Sequence, residues 1–306
     1  MSFHRLSSWF LTNQGKTFSF YAAGTAVVAT MAGHFLPQTV LLDKYKDFVR
    51  LYKNGLPEPL APHLEKRFKR ALELTEIEPE YHDLYQPFFT YGFDVMSLGS
   101  SYSKYGVIVG LPFSFTYDDP EKIDKTRIKI RQESVPWGTE EAQKFLKSLI
   151  FSENAQLYAM AREIKLRNSV KPMSDMLCGA ASCMVAYGLS QHINQKFDFY
   201  SKPRQLRVVL YMLVGLFVFG FYAMSKDMLQ LYIEETIDKE LRDKNEVFAK
   251  GGREFYSKIL ERNMALRKLL GREGEKLYSI HGNENFLIRN KHLPLVHRKS
   301  IFETVE

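Results

Sequence analysis

Cysteine is nearly absent: 306 residues contain two, Cys178 and Cys183. Two thiols five positions apart make neither a disulfide framework nor a zinc knuckle. On a helix that spacing puts them on different faces, where they cannot easily pair. Histidine is sparse, with 8 in the chain, and no two stand four residues apart as a metallopeptidase helix requires. Ser, His and Asp are too scattered to suggest a catalytic triad. Gly106 and Gly110 in GVIVGLPFSF lack phosphate-loop spacing and no Lys-Ser/Thr pair follows, so that run reads as a short buried strand ending in a turn. Lys and Arg exceed Asp and Glu, 42 to 35, but they are spread along the chain. Without a basic block interleaved with aromatics, nucleic acid is not an expected partner.

Charge is missing where it matters most. From Thr17 to Leu42 there is no Asp, Glu, Lys or Arg. Within that stretch Phe18–Leu36 is long enough to cross a ~30 Å hydrocarbon layer at ~1.5 Å per residue. Its small residues Ala22, Ala26 and Gly33 suit close packing against another helix. The strongest signal lies between Arg207 and Lys226, where VVLYMLVGLFVFGFYAMS reads as a spanning helix. Lys202, Arg204 and Arg207 before it and Lys226 after it can snorkel to headgroups. A quieter candidate lies between Asp175 and Lys196. Its apolar heart, Met176–Leu189, fits a buried core helix or a span equally well, so two and three spans both stand. His34 near Pro37 suits a headgroup level, or a metal or polar partner. Cys178 and Cys183 with Met176 and Met184 offer soft sulfur that suits Cu(I), or simple packing. No metal or cofactor is assigned.

Residues 1–16 carry Arg5 and Lys16 and no acid, with Ser2, Ser7 and Ser8 among Phe3, Leu6, Trp9 and Phe10. This resembles the acid-poor amphipathic start of a mitochondrial import signal; a secretory signal-anchor is the rival reading. With three spans, the tip and the basic 195–207 loop share one side, the matrix, and 38–175 and 226–306 share the other.

In the soluble parts, the periodicity of Leu64, Phe68, Ala71, Leu72 and Thr75 predicts a helix over His63–Ile77. Pro87–Met96 and Lys104–Phe115 read as strands. Asp118–Ser134 reads as a charged surface loop with a strand near Thr126–Ile130. Thr139 and Ser152 cap helices, the second over Glu153–Asn168 with Leu157, Ala161 and Ile164 on one face. Met228–Phe248 reads as a charged helix broken by Gly251-Gly252, and Glu254–Leu270 as its continuation. Residues 271–306 read as turns and a short basic tail.

The segment Gly251–Tyr278 (GGREFYSKILERNMALRKLLGREGEKLY), followed by Lys291-His292-Leu293-Pro294, resembles the transmembrane protein 177 family. Tyr85-Gln86-Pro87-Phe88, Val107–Pro112, Glu141–Phe145 and Ala161–Ile164 fit the same family in order, over nearly the whole chain. The resemblance implies a multi-pass protein of the mitochondrial inner membrane that is not an enzyme. It also implies partners: the copper-carrying subunit 2 of cytochrome c oxidase and a dedicated membrane chaperone of that subunit. A fainter, fold-level resemblance is to membrane metallopeptidases of the Oma1/HtpX type, which place a His-Glu-x-x-His helix before a membrane hairpin and an acidic zinc ligand after it. Here Arg162-Glu163-Ile164-Lys165-Leu166 fills the motif, and only the glutamate survives. The helix with Glu240 and Asp243 stands where the acidic ligand would be. A catalytic zinc needs about three protein ligands, so hydrolysis should be lost.

The fold class expected is α+β: a mostly helical membrane protein with two or three transmembrane helices and a soluble domain containing a small β-sheet. The order is an import-like tip (1–17), a membrane helix (18–36), a soluble region (38–172), a second membrane helix (175–194), a basic loop (195–206), a third membrane helix (207–225) and a C-terminal helical region (226–306) packing on 38–172. The function expected is non-catalytic assistance to biogenesis of oxidase subunit 2 as a chaperone-like assembly factor. The alternative is a degenerate or active membrane metallopeptidase. A channel is disfavoured, since the spans carry no Asp, Glu, Lys or Arg. No catalytic, cofactor or metal residue is expected. Candidate partner-binding residues are the basic face Arg253, Lys258, Arg262 and Lys268 and the turn around Gly271, Gly274, Glu275, Lys276 and Leu277.

Overall fold

The computed structural model describes residues 9–128, 135–286 and 288–303. The import-like tip up to Ser8 and the Lys129–Ile130 end of the expected strand lie outside them. The chain forms α1 (Asn13–Phe35), α2 (Leu42–Val49), β1 (Tyr52–Lys53), β2 (Leu56–Pro57), α3 (Pro62–Leu74), β3 (Tyr85–Thr90), β4 (Met96–Gly99) and β5 (Val107–Pro112). There follow α4 (Glu140–Ser148), α5 (Glu153–Arg167), α6 (Lys171–Lys196), α7 (Arg204–Lys244), α8 (Glu246–Leu269), α9 (Arg272–Leu277) and α10 (Leu295–Ile301). The fold is mostly helical with a small sheet. It divides into two compact units, Met1–Gln38 with Val170–Leu229, and Thr39–Ser169 with Gln230–Glu306.

The first unit holds α1, α6 and the N-terminal part of α7. Thr12 caps α1 by accepting from the Gly15 amide. Gly15 is small because the Trp9–Phe10 backbone lies where a Cβ would stand. Helices α1 and α6 touch along small residues: a Cβ on Gly179 would press on Thr30 and His34, and Thr30 Oγ1 lies 3.4 Å from Cys183 Sγ. Tyr222 OH on α7 reaches His34 Nε2 at 3.3 Å, and Asn194 on α6 donates to Tyr211 OH at 2.9 Å. Among the described residues, α7 is the one helix both long and apolar enough to cross a membrane. Val214, Val218 and Ala223 form its buried edge, while Leu213, Leu216, Phe217, Phe219 and Phe221 are each at least 60% exposed. Helices α1 and α6 are long enough, at 23 and 26 residues, but Ala, Gly, Ser and polar positions dilute them. One span therefore stands on these grounds, where the sequence suggested two or three.

In the second unit β5 is central, parallel to β3 and antiparallel to β4. All six β5 residues are buried, which suits its continuous apolar run. Helix α5 packs against α8, α3 and the sheet. It is covered all round rather than on one face: Leu157, Tyr158, Ala159, Met160 and Ala161 are fully buried. The first strand is displaced from expectation, ending at Thr90 before a Gly92 turn with φ +104°. Lys125–Arg127 is a 3-10 turn rather than a strand, and Ile123 and Ile128 beside it are buried against Phe145 and Leu266. The surface loop therefore contributes to the core.

The break expected at Gly251-Gly252 falls at Asn245 instead. Asn245 is extended and caps α8 by accepting from the Phe248 amide. Both glycines lie inside α8 and are buried. A Cβ on Gly251 would overlap the Asn154 carbonyl of α5, and one on Gly252 would overlap the Phe302 ring. Their smallness sets helix approach. Likewise the charged helix after the apolar run is the continuous end of α7, not a separate element.

Candidate functional site

Polar chemistry concentrates at the centre of the second unit, where α5, the C-terminal end of α7, α8 and α10 meet. Asp238 on α7 is fully buried. It accepts from Tyr158 OH at 2.6 Å, from Tyr256 OH at 3.1 Å, and from Arg298 Nε and Nη2 at 2.7 and 2.9 Å. A carboxylate offers about four lone-pair positions, so Asp238 is fully occupied by neighbours. Arg298 stacks over the Tyr256 ring at 4.9 Å. Burial, with the Asp238 charge beside it, pushes the Tyr158 hydroxyl well up; burial also raises Tyr256, against the pull of Arg298. Both phenols therefore stay protonated and serve as donors.

One turn earlier on α7, Glu234 is also buried. His292 Nδ1 lies 2.7 Å away, the Leu293 amide donates at 2.9 Å, and Arg298 stands at 3.5 Å. Burial alone would raise the Glu234 carboxyl. The His292 hydrogen bond, the Arg298 charge and the Leu293 amide outweigh it and hold the pKa at about 2.

Glu163, the glutamate surviving in the metallopeptidase-like pentad, lies in a separate buried set. It accepts from Ser97 Oγ at 2.6 Å and from Arg162 Nη2 at 2.6 Å; Arg167 donates to the same serine at 2.8 Å. The arginine standing in a histidine place thus ties the glutamate down and covers the Phe255 ring at 5.5 Å. Glu240 and Asp243 do not face this centre. Glu240 pairs with Lys165 at 2.5 Å, and Asp243 with Arg242 at 2.7 Å, on exposed sides. Helical phase turns Glu234 and Asp238 inward instead. Among the described residues, no three His, Cys, Asp or Glu side chains converge as metal ligands.

The expected basic face is not one open patch. Arg262 is 4% exposed; it pairs with Asp94 at 2.8 Å and donates to the Phe93 carbonyl. Lys258 donates to the Lys147 carbonyl at 3.2 Å, and Lys268 reaches Glu141 at 3.4 Å. Arg253 is exposed. The turn is a short helix, α9, entered through Gly271 at φ +55°. Gly274 is buried against the Arg267 backbone, Glu275 pairs with Arg267 at 3.7 Å, and Lys276 and Leu277 are exposed. Sequence reasoning missed Tyr158, Glu234, Asp238, Tyr256, His292 and Arg298. The available signal was Glu234 and Asp238 at i, i+4 on one helix face.

The model of the family described as "Transmembrane protein 177" matches residues 10–293. The human protein of that name is 31% identical over 268 residues, covering 87% of this chain and 84% of its own length. The mouse protein has the same identity and coverage. The Xenopus laevis protein is 29% identical over 276 residues, covering 89% and 87%. No solved structure matches significantly. The chain belongs to the transmembrane protein 177 family.

Proposed function

We propose that this chain is a non-catalytic, multi-pass factor of the mitochondrial inner membrane that assists biogenesis of cytochrome c oxidase subunit 2 together with that subunit's membrane chaperone. The observation that carries the non-catalytic part is the closed polar centre. Asp238 and Glu163, the acids on the elements where a metallopeptidase would hold zinc and its general base, spend their oxygens on Arg298, two tyrosines, Arg162 and Ser97. A centre so filled rigidifies a core rather than receiving a substrate. Work is left to surfaces and membrane helices. In this reading α1 and α6 join α7 as spans, supported by their length, their mutual packing through Gly179 and the exposed Phe18, Phe20, Tyr21, Met173 and Met184. The ends of α1, α6 and α7 near Lys16, Lys196 and Arg204 would face the matrix, and the second unit the intermembrane space.

Affinity purification of the tagged protein from mitochondria opened with a mild detergent tests the proposal. Subunit 2 and a small membrane chaperone should be recovered. Recovery of neither, from protein that is intact and in the inner membrane, would contradict it.

A further inference from the structure

Within the first unit a cavity of about 590 Å³ opens between α1, α6 and the start of α7. Its walls are mostly apolar, with Phe18, Ala22, Ala186 and Val208 among uncharged polar groups such as Ser190 and Gln191, and Lys16, Arg204 and Arg207 line it too. No acid lines it among the described residues. The acid of the 196–207 stretch, Asp198, accepts from Ser201 at 2.7 Å instead. Arg207 Nε is buried without a hydrogen-bond partner, and the guanidinium lies on the Tyr200 ring at 5.7 Å. Cations at one end and an uncharged slot at the other match a molecule with an anionic head and a hydrocarbon tail. Arginine suits phosphate because its planar fork binds two oxygens at once. The volume is that of a small-molecule pocket, enough for a headgroup and the upper part of a chain.

We propose that this cavity binds one anionic phospholipid, its phosphate held by Lys16, Arg204 and Arg207 and an acyl chain lying along Ala22, Ala186 and Val208. The inference rests on the reading of α1 and α6 as membrane helices. It assigns the lipid a structural role, as a wedge that fixes the three helices at their basic end.

Trp9 supplies a reporter. It packs edge-on against Phe10 and Phe18 at 5.2 and 5.5 Å, and both those rings line the cavity. Trp137 is the other tryptophan, so full-length Trp137→Phe protein isolates the Trp9 signal. This protein is reconstituted with phosphatidylcholine vesicles containing equal fractions of chain-brominated phosphatidylglycerol or chain-brominated phosphatidylcholine. Bromine quenches on contact. Each basic residue beside an anionic lipid strengthens binding about fivefold, so phosphatidylglycerol should quench well beyond its share. Arg204→Gln with Arg207→Gln should remove most of that selectivity, and Lys at both positions, which keeps the charge without the planar fork, should keep part of it. Equal quenching by the two lipids would overturn the lipid site while leaving the membrane reading standing. Quenching by neither would overturn the membrane reading of α1, and the site with it. Inorganic phosphate, at ionic strength matched with chloride, should leave the selectivity intact; abolition by phosphate alone would identify a free anion as the ligand and overturn the lipid proposal.

Discussion

At the scale of residues, the buried centre and the buried glycines bear the most weight. Asp238→Asn breaks the closer of the two ion pairs of Arg298 and leaves it buried with Glu234 at 3.5 Å; breaking a buried pair costs about 3–5 kcal/mol. Glu240→Gln removes a pair whose carboxylate is 48% exposed and should cost within about 1 kcal/mol. Thermal unfolding in detergent should order Tm as wild type, then Glu240→Gln close behind, then Asp238→Asn far below; equal Tm for the two variants would contradict the burial argument. Gly251→Ala drives a methyl into the Asn154 carbonyl and should cost about 1–3 kcal/mol by overpacking, read from the same scan. Glu234 adds a pH dependence. Its folded carboxyl titrates at about 2 against 4.5 when free, so the unfolded chain takes up the proton first. The contribution is whole above pH 4.5 and fades as pH falls towards 2. Unfolding midpoints followed through that window should decline less steeply in Glu234→Gln than in wild type; parallel curves would show that Glu234 is not held as described.

At the scale of elements, much was legible because it is local. Thr139 and Ser152 cap α4 and α5 as their side chains suggested, and the Leu64, Phe68, Ala71, Leu72 stripe is the buried face of α3. What sequence missed depends on contacts distant in the chain. Gly251-Gly252 reads as a break by propensity; only the approach of Asn154 and Phe302 explains why a helix keeps both. Arg262 reads as surface because Asp94, its partner, lies 168 residues away. Arg298 in a seemingly basic tail gave no local sign of joining Asp238. The α1–α6 pairing is testable at this scale. Thr30→Cys, with Cys178→Ser, places a thiol beside Cys183, and mild oxidation should give a linked peptide pair by mass spectrometry. Absence of the link, with both thiols reactive to a small reagent, would refute the pairing.

At the scale of the molecule there are two units: one holds the apolar run of α7, and the other is closed around Asp238. The family assignment covers nearly all of both. The proposed role, support of subunit 2 without catalysis, belongs to this scale. Its most direct test is a pulse-chase of mitochondrially made subunit 2 in cells lacking the protein, with wild type or Glu163→Gln restored at equal abundance. Newly made subunit 2 should decay faster without the protein, and both restored forms should return it to the normal lifetime. A lifetime unchanged by the loss, or rescued by wild type and not by an equally abundant Glu163→Gln, would contradict it.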